Sequence, residues 1–165
     1  MILPISHSHS GIDVVEVFTD GACLGNPGPG GWAAILIWRG TSKELSGGYR
    51  NTTNNRMELL AAIEALNSFK RSCTVVLYTD SRYICDAIEK GWLERWQRTD
   101  WKTVNKTTVK NRDLWTRLSY LLTRHTVRFH WVRGHSGHSQ NERCDVLART
   151  AAQASGLPRD EGAEY

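Results

Sequence analysis

The sequence predicts an α/β fold, a five-stranded mixed sheet (an antiparallel meander plus parallel strands) flanked by helices. The first observation is three strand-like segments joined by short connections, which favour antiparallel neighbours. The second is a later succession of strand, helix and strand. That succession implies parallel strands joined by a right-handed crossover.

The first three segments are recognised by β-rich composition and turn residues. Val14–Asp20 is rich in β-branched and aromatic residues and ends at an Asp-Gly pair, so it predicts a strand. The stretch GACLGNPGPGG, rich in Gly and Pro, predicts a loop. Trp32–Trp38 predicts a second strand and Glu44–Tyr49 a third.

A helix and a strand follow. Asn55 and Glu58 have the spacing of a capping box, in which two side chains satisfy the free N–H groups of a helix start. Apolar residues then recur at helical spacing, which predicts a helix over Asn55–Lys70 with one buried stripe. Thr74–Asp80 is almost wholly apolar, as expected of a central strand that is covered on both faces.

The rest of the chain predicts three helices, a fifth strand and a last helix. Ser81 can cap a helix that Gly91 interrupts, so this segment forms two helices. Leu114–Leu122 has the leucine spacing of a further helix, and Thr126–Val132 predicts the fifth strand. Ser139 opens the last helix with a second capping-box pattern.

Length and composition indicate one globular domain. The chain has 165 residues, of which 40% are hydrophobic and 23% charged, as is ordinary for a protein with one core. We expect a flexible leader over residues 1–12, a domain over 13–153 and a loose acidic tail over 154–165. No apolar run reaches the ~20 residues of a membrane-spanning helix, and the start lacks the Lys or Arg of a secretory signal.

The four cysteines predict reduced thiols. None forms a C-x-x-C pair, and the spacing matches no zinc pattern. Free thiols are typical of a reducing compartment, so we expect a cytoplasmic protein.

Four acidic residues stand where the predicted elements change: Asp20, Glu58, Asp80 and Asp145. Each alone has an ordinary explanation as a turn residue, a helix cap or a first-turn acid. Together they suggest more, because the first and fourth strands can be neighbours and a helix above the same sheet edge brings Glu58 over them. Such carboxylates would repel one another without a cation. An all-oxygen set suits Mg²⁺ or Mn²⁺, and two ions roughly 4 Å apart can use all four groups.

A basic and aromatic segment, Lys90–Arg112, suggests a polyanionic partner. The net charge of +4 and the pI of about 9.0 agree with one. The segment either follows a phosphate backbone or is a solvated basic face whose tryptophans pack against Trp115. It interleaves basic and aromatic side chains: Lys90, Trp92, Arg95, Trp96, Arg98, Trp101, Lys102, Lys106, Lys110 and Arg112.

Five motifs resemble type 1 ribonuclease H of the bacterial kind. They are FTDGACLGNPGPGGWAAIL, TTNNRMELLAAIEAL, TDSRYI, WKTVNKTTVKNRDLW and WVRGHSGHSQNERCDVLA, and the resemblance runs from about Val14 to Ala152. It implies a ribonuclease H-like fold and endonucleolytic hydrolysis of the RNA strand of RNA/DNA hybrids, leaving 5′-phosphate and 3′-hydroxyl ends. It also implies two Mg²⁺ ions, for which Mn²⁺ can substitute. We expect a monomer that acts without a membrane or an obligate protein partner.

The same resemblance implies the catalytic residues. The metal ligands are Asp20, Glu58, Asp80 and Asp145. His135, in RGHSGH, matches the family's mobile-loop histidine, which is expected to assist proton transfer or product release. A histidine that titrates near neutrality suits proton transfer.

The resemblance further implies contacts to the substrate. Thr53 and Asn111 match a phosphate pocket for the DNA strand. Asn26, Asn54 and Asn55 match residues that reach into the minor groove, where side chains that both donate and accept are suited to base edges.

The remaining implied contacts involve the RNA ribose and the DNA strand. Cys23 lies near the position where the family meets the RNA ribose, and Arg82 stands where many bacterial relatives carry Gln. The protrusion that holds the DNA strand matches Trp92, Arg95, Trp96, Arg98 and Lys102.

Two other functions stay open at the level of sequence. A DNA-cutting or strand-transfer enzyme of the same fold would keep the acidic cluster but lack the TTNNRMEL and WKT…VKN motifs. A non-catalytic hybrid-binding module would be marked by the loss of a carboxylate. Both motifs and all four carboxylates are present, and cleavage of RNA/DNA, RNA/RNA and DNA/DNA duplexes separates the three functions.

Overall fold

The computed structural model describes residues 13–134 and 139–163. Its elements follow the predicted order of strands and helices, which confirms the fold class. In chain order they are β1 (Val14–Cys23), β2 (Gly28–Trp38), β3 (Thr41–Thr52), α1 (Asn54–Asn67), β4 (Thr74–Thr79), α2 (Arg82–Glu89), α3 (Trp92–Arg98), α4 (Arg112–Arg124), β5 (Thr126–Trp131) and α5 (Ser139–Ala152).

One mixed sheet organises the molecule, with the strand order β3-β2-β1-β4-β5. The pairs β1–β2 and β2–β3 are antiparallel, as the short connections predict. The pairs β1–β4 and β4–β5 are parallel. The carboxyl ends of β1, β4 and β5 therefore meet at one edge of the sheet, where ligands of open α/β sheets commonly bind.

Helices cover both faces of this sheet. The larger apolar core joins α1, α2 and α4 to one face and includes the fully buried Trp115. A smaller core lies on the other face, where Cys144 and Ala148 of α5 pack on Ala33 and Ile35. In the part of the chain that the structure describes, no helix is long and apolar enough to span a membrane.

The predicted loop between β1 and β2 is mostly strand, which corrects the sequence prediction. Ala22 pairs with Gly31 and Cys23 with Gly30, so only residues 24–27 lie outside the ladder. Glycine is required here for packing, since a β-carbon on Gly31 would overlap the carbonyl oxygen of Ala148 on α5. The glycines thus allow close helix–sheet contact instead of marking a turn.

The first helix also differs from its prediction. It begins at Asn54 and ends at Asn67, and its cap is Thr53, whose Oγ1 accepts a hydrogen bond from the backbone N–H of Arg56 at 3.3 Å. Asn55 is therefore not the cap. The sequence predicts a single buried stripe, but ten of the fourteen residues of α1 are buried. The reason is that the helix lies between the sheet and α4.

The prediction of a loose tail is wrong for its described residues. The backbone N–H of Arg50 donates to the carbonyl of Pro158 at 2.9 Å. Asp160 is only 6% exposed and accepts hydrogen bonds from Thr52 and Arg56 at 2.7 Å. The segment is held by polar contacts, which its composition does not reveal. The predicted leader, residues 1–12, lies outside the described residues.

Candidate active site

The register of β1 and β4 brings two of the acidic residues together. Phe18 pairs with Tyr78, and Asp20 and Asp80 each lie two residues beyond that pair. Gly21 lets α1 approach the same edge, because a β-carbon there would come within 2.6 Å of the backbone nitrogen of Glu58. The N–H of Gly21 donates to Glu58 Oε1 at 3.1 Å and to Asp20 Oδ1 at 2.9 Å.

Three carboxylates form one group. Asp20, Glu58 and Asp80 each offer an oxygen atom, and these atoms lie within 4.8 Å of one another. Asp20 is 8% exposed and Glu58 is 4% exposed. Glu58 Oε2 has no hydrogen-bond partner among the described residues. A buried, unpaired carboxylate oxygen is costly, and hard divalent cations prefer oxygen ligands, so these residues fit such an ion.

Burial and mutual repulsion disfavour the charged forms of this group. Burial, followed by the charge of Asp80, raises the pKa of Asp20 to about 7. Burial also raises the pKa of Glu58 well above its ordinary value, with further contributions from Asp20 and Asp80. Without a cation the group therefore retains protons near neutral pH, and a divalent cation would be the natural replacement for them.

Asp145 stands apart from these three residues. It lies on α5 and lines the same cleft, but none of its oxygen atoms belongs to the three-residue group. Its Oδ2 is 2.8 Å from Nη2 of Arg149, one helical turn later. The structure thus brings three of the four predicted metal ligands together and places the fourth on the wall of the cleft.

The cleft has a volume of about 420 Å³ and is open to solvent. Polar side chains dominate its lining: Asp20, Asn54, Asn55, Glu58, Asp80, Ser81, Arg82, Tyr83 and Asp145, together with Gly21. Ser81 is the cap of α2, as predicted, and its Oγ accepts from the N–H of Ile84 at 3.2 Å.

Trp131 supports Asp80 from β5, a role that the sequence reasoning missed. Its Nε1 donates to the backbone carbonyl of Asp80 at 3.2 Å. The guanidinium of Arg82 lies 4.0 Å from the centre of the Trp131 ring, so the predicted substrate residue is held by a cation–π contact. Gly134 also lies close, since a β-carbon there would be 2.8 Å from Asp80 Oδ2. His135 lies outside the described residues.

The predicted minor-groove residues lie at the start of α1. Asn54 and Asn55 line the cleft beside the carboxylates. Asn26 Oδ1 accepts from the backbone N–H of Asn54 at 3.0 Å, so this side chain also fixes the helix start. Cys23 is half-buried, and its Sγ lies 3.5 Å from the carbonyl oxygens of Gly28 and Thr52.

Asn111, predicted to contact phosphate, belongs to a hydrogen-bond network that the sequence reasoning missed. Its Oδ1 accepts from Arg56 Nη1 at 3.3 Å, and its Nδ2 donates to the hydroxyl of Tyr83 at 3.1 Å. Arg56 is 1% exposed and also binds Asp113 and Asp160, with shortest distances of 2.7 Å. No local sequence signal reveals this network, because Arg56 and Asp160 are 104 positions apart.

The basic protrusion, defined as α3 with residues 99–111, combines the two readings of its sequence. Arg95, Arg98 and Lys102 are exposed. Trp92 and Trp96 instead pack against the main core, and the Trp96 ring lies 5.5 Å from that of Trp115. The tryptophans thus hold the protrusion to the domain, and its arginines and lysines face outward.

Comparisons with known proteins agree with this architecture. The model of the RNase H family matches residues 13–153. A ribonuclease H of Nitratidesulfovibrio vulgaris (strain DSM 19637 / Miyazaki F) is 66% identical over 148 residues, which cover 90% of this chain and 95% of that protein.

Two solved structures have the same fold. LC9-RNase H1, described as a type 1 RNase H with the type 2 active-site motif, has a TM-score of 0.78 and 34% identity, covering 94% of this chain and 78% of that one. LC11-RNase H1, solved in complex with an RNA/DNA hybrid, has a TM-score of 0.63 and 22% identity, covering 84% and 96%. At that identity the second likeness concerns the fold alone.

Proposed function

The chain belongs to the RNase H family of nucleases, and we propose from that premise that it hydrolyses the RNA strand of RNA/DNA hybrids. The products are 5′-phosphate and 3′-hydroxyl ends. One observation supports this proposal most strongly: Asp20, Glu58 and Asp80 place three carboxylate oxygens within 4.8 Å of one another in an open, polar cleft. Such a group has no use in a merely structural cleft, because buried like charges oppose folding.

The proposed ligands hold two Mg²⁺ ions, for which Mn²⁺ can substitute. They are Asp20, Glu58, Asp80 and Asp145. When bound, such ions activate a water molecule and neutralise charge on the scissile phosphate. The chain itself supplies a fixed frame for them. Asp20 comes from β1 and Glu58 from α1, and the N–H of Gly21 bonds both carboxylates.

We assign proton transfer, or assistance to product release, to His135. It follows Gly134, whose backbone lies against the Asp80 carboxylate. A histidine is suited to this step because its ordinary pKa lies near neutrality.

The DNA strand lies along the other side of the cleft in this proposal. Thr53 and Asn111 bind a phosphate, and the exposed cations of the basic protrusion follow the backbone. The protrusion's contact residues are Trp92, Arg95, Trp96, Arg98 and Lys102. Asn26, Asn54 and Asn55 enter the minor groove between the two strands. Asn54 and Asn55 line the cleft beside the carboxylates, which supports this assignment.

Recognition of the RNA strand is assigned to residues close to the carboxylates. Cys23 lies near the ribose, whose 2′-hydroxyl distinguishes RNA from DNA. Arg82, held over Trp131, contributes a cation at the rim of the cleft. The protein acts as a monomer in this proposal and needs no obligate protein partner.

The decisive experiment compares three duplexes of one sequence: RNA/DNA, RNA/RNA and DNA/DNA. Each strand carries its own end label, so that the cut strand is identified, and reactions contain Mg²⁺ or a chelator. We expect Mg²⁺-dependent cuts in the RNA strand of the hybrid alone, with 3′ ends that a polymerase can extend. Asp80→Asn is the inactive variant, and Glu44→Gln, which removes a surface carboxylate paired with Arg143, is the active control.

Cleavage of the DNA/DNA duplex would instead identify a DNA-processing nuclease of the same fold. Tight hybrid binding without cleavage by the wild type would identify a binding module. Either result would overturn the proposed function.

A further inference from the structure

We infer that Arg149 is a positioning residue that holds Asp145 outside the three-carboxylate group and must release it when Asp145 binds a divalent cation. This inference rests on the proposed function, because it takes the cleft to be a cation site. It assigns to α5 a part that its sequence pattern does not suggest.

The first support is the position of the two side chains. Asp145 lines the cleft, and its side chain is 22% exposed. Its Oδ2 is 2.8 Å from the guanidinium of Arg149, whose side chain is 56% exposed. Asp20, Glu58 and Asp80 form their group without Asp145. The fourth carboxylate, that of Asp145, is thus already paired with a cation, the guanidinium of Arg149.

The second support is the fixed backbone on both sides of Asp145. Cys144 is fully buried, and its Sγ donates to the carbonyl of Phe18 at 3.2 Å. Ala148 is also fully buried, and its carbonyl lies so close to Gly31 that a β-carbon there would overlap it. Because these contacts hold α5 closely on the sheet, we expect Asp145 to move toward the group by rotating its side chain. That rotation breaks the contact with Arg149.

The contact is suited to reversible release. Exposed ion pairs one helical turn apart contribute little to stability, so a divalent cation of higher charge can displace the guanidinium. The competition lowers the affinity for the divalent cation by the stabilisation that the Asp145–Arg149 pair contributes, which corresponds to about twofold. An ordinary helix-stabilising pair would lack this effect on cation binding.

Arg143 offers a matched control on the same helix. It lies two residues before Asp145, carries the same charge and is paired at 2.8 Å with Glu44, which is not a member of the three-carboxylate group. Removing it therefore changes the net charge by the same amount without freeing Asp145.

The test is a calorimetric titration of Mn²⁺ into the metal-free full-length protein. The variants are Arg149→Gln, Arg149→Lys and Arg143→Gln, each made with Asp145 and with Asp145→Asn. We expect Arg149→Gln to raise Mn²⁺ affinity at least about twofold, Arg149→Lys to restore the wild-type value, and Arg143→Gln to change it less. In the Asp145→Asn background Arg149→Gln should have no effect.

Three outcomes would overturn the inference. Unchanged or weaker Mn²⁺ binding by Arg149→Gln would show that the guanidinium does not compete or instead orients Asp145. An equal gain from Arg143→Gln, or a gain that persists with Asp145→Asn, would reduce the effect to net charge. Thermal unfolding of every variant is the control that checks whether each variant is folded. Wild-type hybrid cleavage, measured separately, tests the proposed function and does not depend on these results.

Discussion

Arg56 and Glu58 are two residues apart on α1, and the chain buries both charges in opposite ways. Arg56 is 1% exposed and Glu58 is 4% exposed. Arg56 is surrounded by two carboxylates of the same chain, Asp113 and Asp160. Glu58 is surrounded by two further acids, Asp20 and Asp80, and its Oε2 has no hydrogen-bond partner among the described residues.

The pKa values follow this difference. Burial alone would lower the pKa of Arg56, but its hydrogen bonds to Asp113 and Asp160 outweigh burial and raise it. Burial raises the pKa of Glu58, and the neighbouring acids raise it further. One helix therefore carries a cation that the chain neutralises and an acid whose charged form has no cationic partner in its group. The first kind fixes structure, and the second indicates a ligand.

The largest expected effect is the loss of cleavage when the unpaired group is altered. Asp80→Asn keeps the shape of the side chain but removes the charge that holds a cation, so Mg²⁺-dependent cleavage of a hybrid should fall below detection. Glu44→Gln, on the surface, should cleave as the wild type does. A near-native cleavage rate for Asp80→Asn, measured under single-turnover conditions, would remove Asp80 from the catalytic group.

The paired charge should affect folding instead. Arg56→Met keeps most of the side-chain volume but leaves Asp160 buried without its cation, a change that costs roughly 3–5 kcal/mol of unfolding free energy. Denaturant unfolding measures this loss. Arg117→Met is the control. Arg117, on α4, pairs at 3.3 Å with Glu64, which lies on α1 like Arg56, and both side chains are partly exposed. If both variants lose the same small amount, the network around Arg56 does not stabilise the fold.

The same contrast explains what the sequence could predict. Strand–helix order and the register that aligns Asp20 with Asp80 follow from local patterns and short-range topology. The contact of Asp160 with Arg56 spans 104 positions and leaves no periodic signal, so the sequence predicts a loose tail where the segment is docked. The pairing of Asp145 with Arg149 is a local pattern, but the resemblance to a four-carboxylate site predicts Asp145 as a metal ligand instead.

The acids beside Glu58 and Arg56 also predict opposite pH dependence. The pKa of Asp20 rises from 3.8 to about 7 on folding. Folding therefore takes up a proton between these two pH values. The stability that protonated Asp20 contributes is complete below about pH 4 and is lost as the pH rises through 7. Asp113, whose pKa is lowered by Arg56 against the effect of burial, contributes stability that is lost as the pH falls.

Unfolding of the metal-free wild type and of Asp20→Asn across this pH range isolates the cleft. The wild type should lose a few kcal/mol relative to the variant between about pH 4 and 7, at about 1.4 kcal/mol per pKa unit. A constant difference between the two proteins would show that Asp20 titrates normally.

Exposed cations should give the smallest effect. Replacing Arg95, Arg98 and Lys102 by Ala should raise KM for a hybrid and flatten its salt dependence, by roughly 0.9 in the log–log slope per lost phosphate contact on B-form DNA. Turnover at saturation should survive, because these side chains lie outside the carboxylate group. The control replaces the exposed basic residues Lys70, Arg71 and Arg128. Equal slopes for the two triple variants would show that the protrusion is only a solvated face.

The comparison between the two buried charges is tested most directly by the effect of Mg²⁺ on unfolding near pH 8. Wild type and Asp20→Asn are each unfolded by heat in a chelator and in Mg²⁺. We expect Asp20→Asn to be the more stable protein in the chelator, because it lacks part of the repulsion around Glu58. We expect Mg²⁺ to raise the melting temperature of the wild type more than that of the variant. A wild type that gains nothing from Mg²⁺, or a variant that gains as much, would contradict the account.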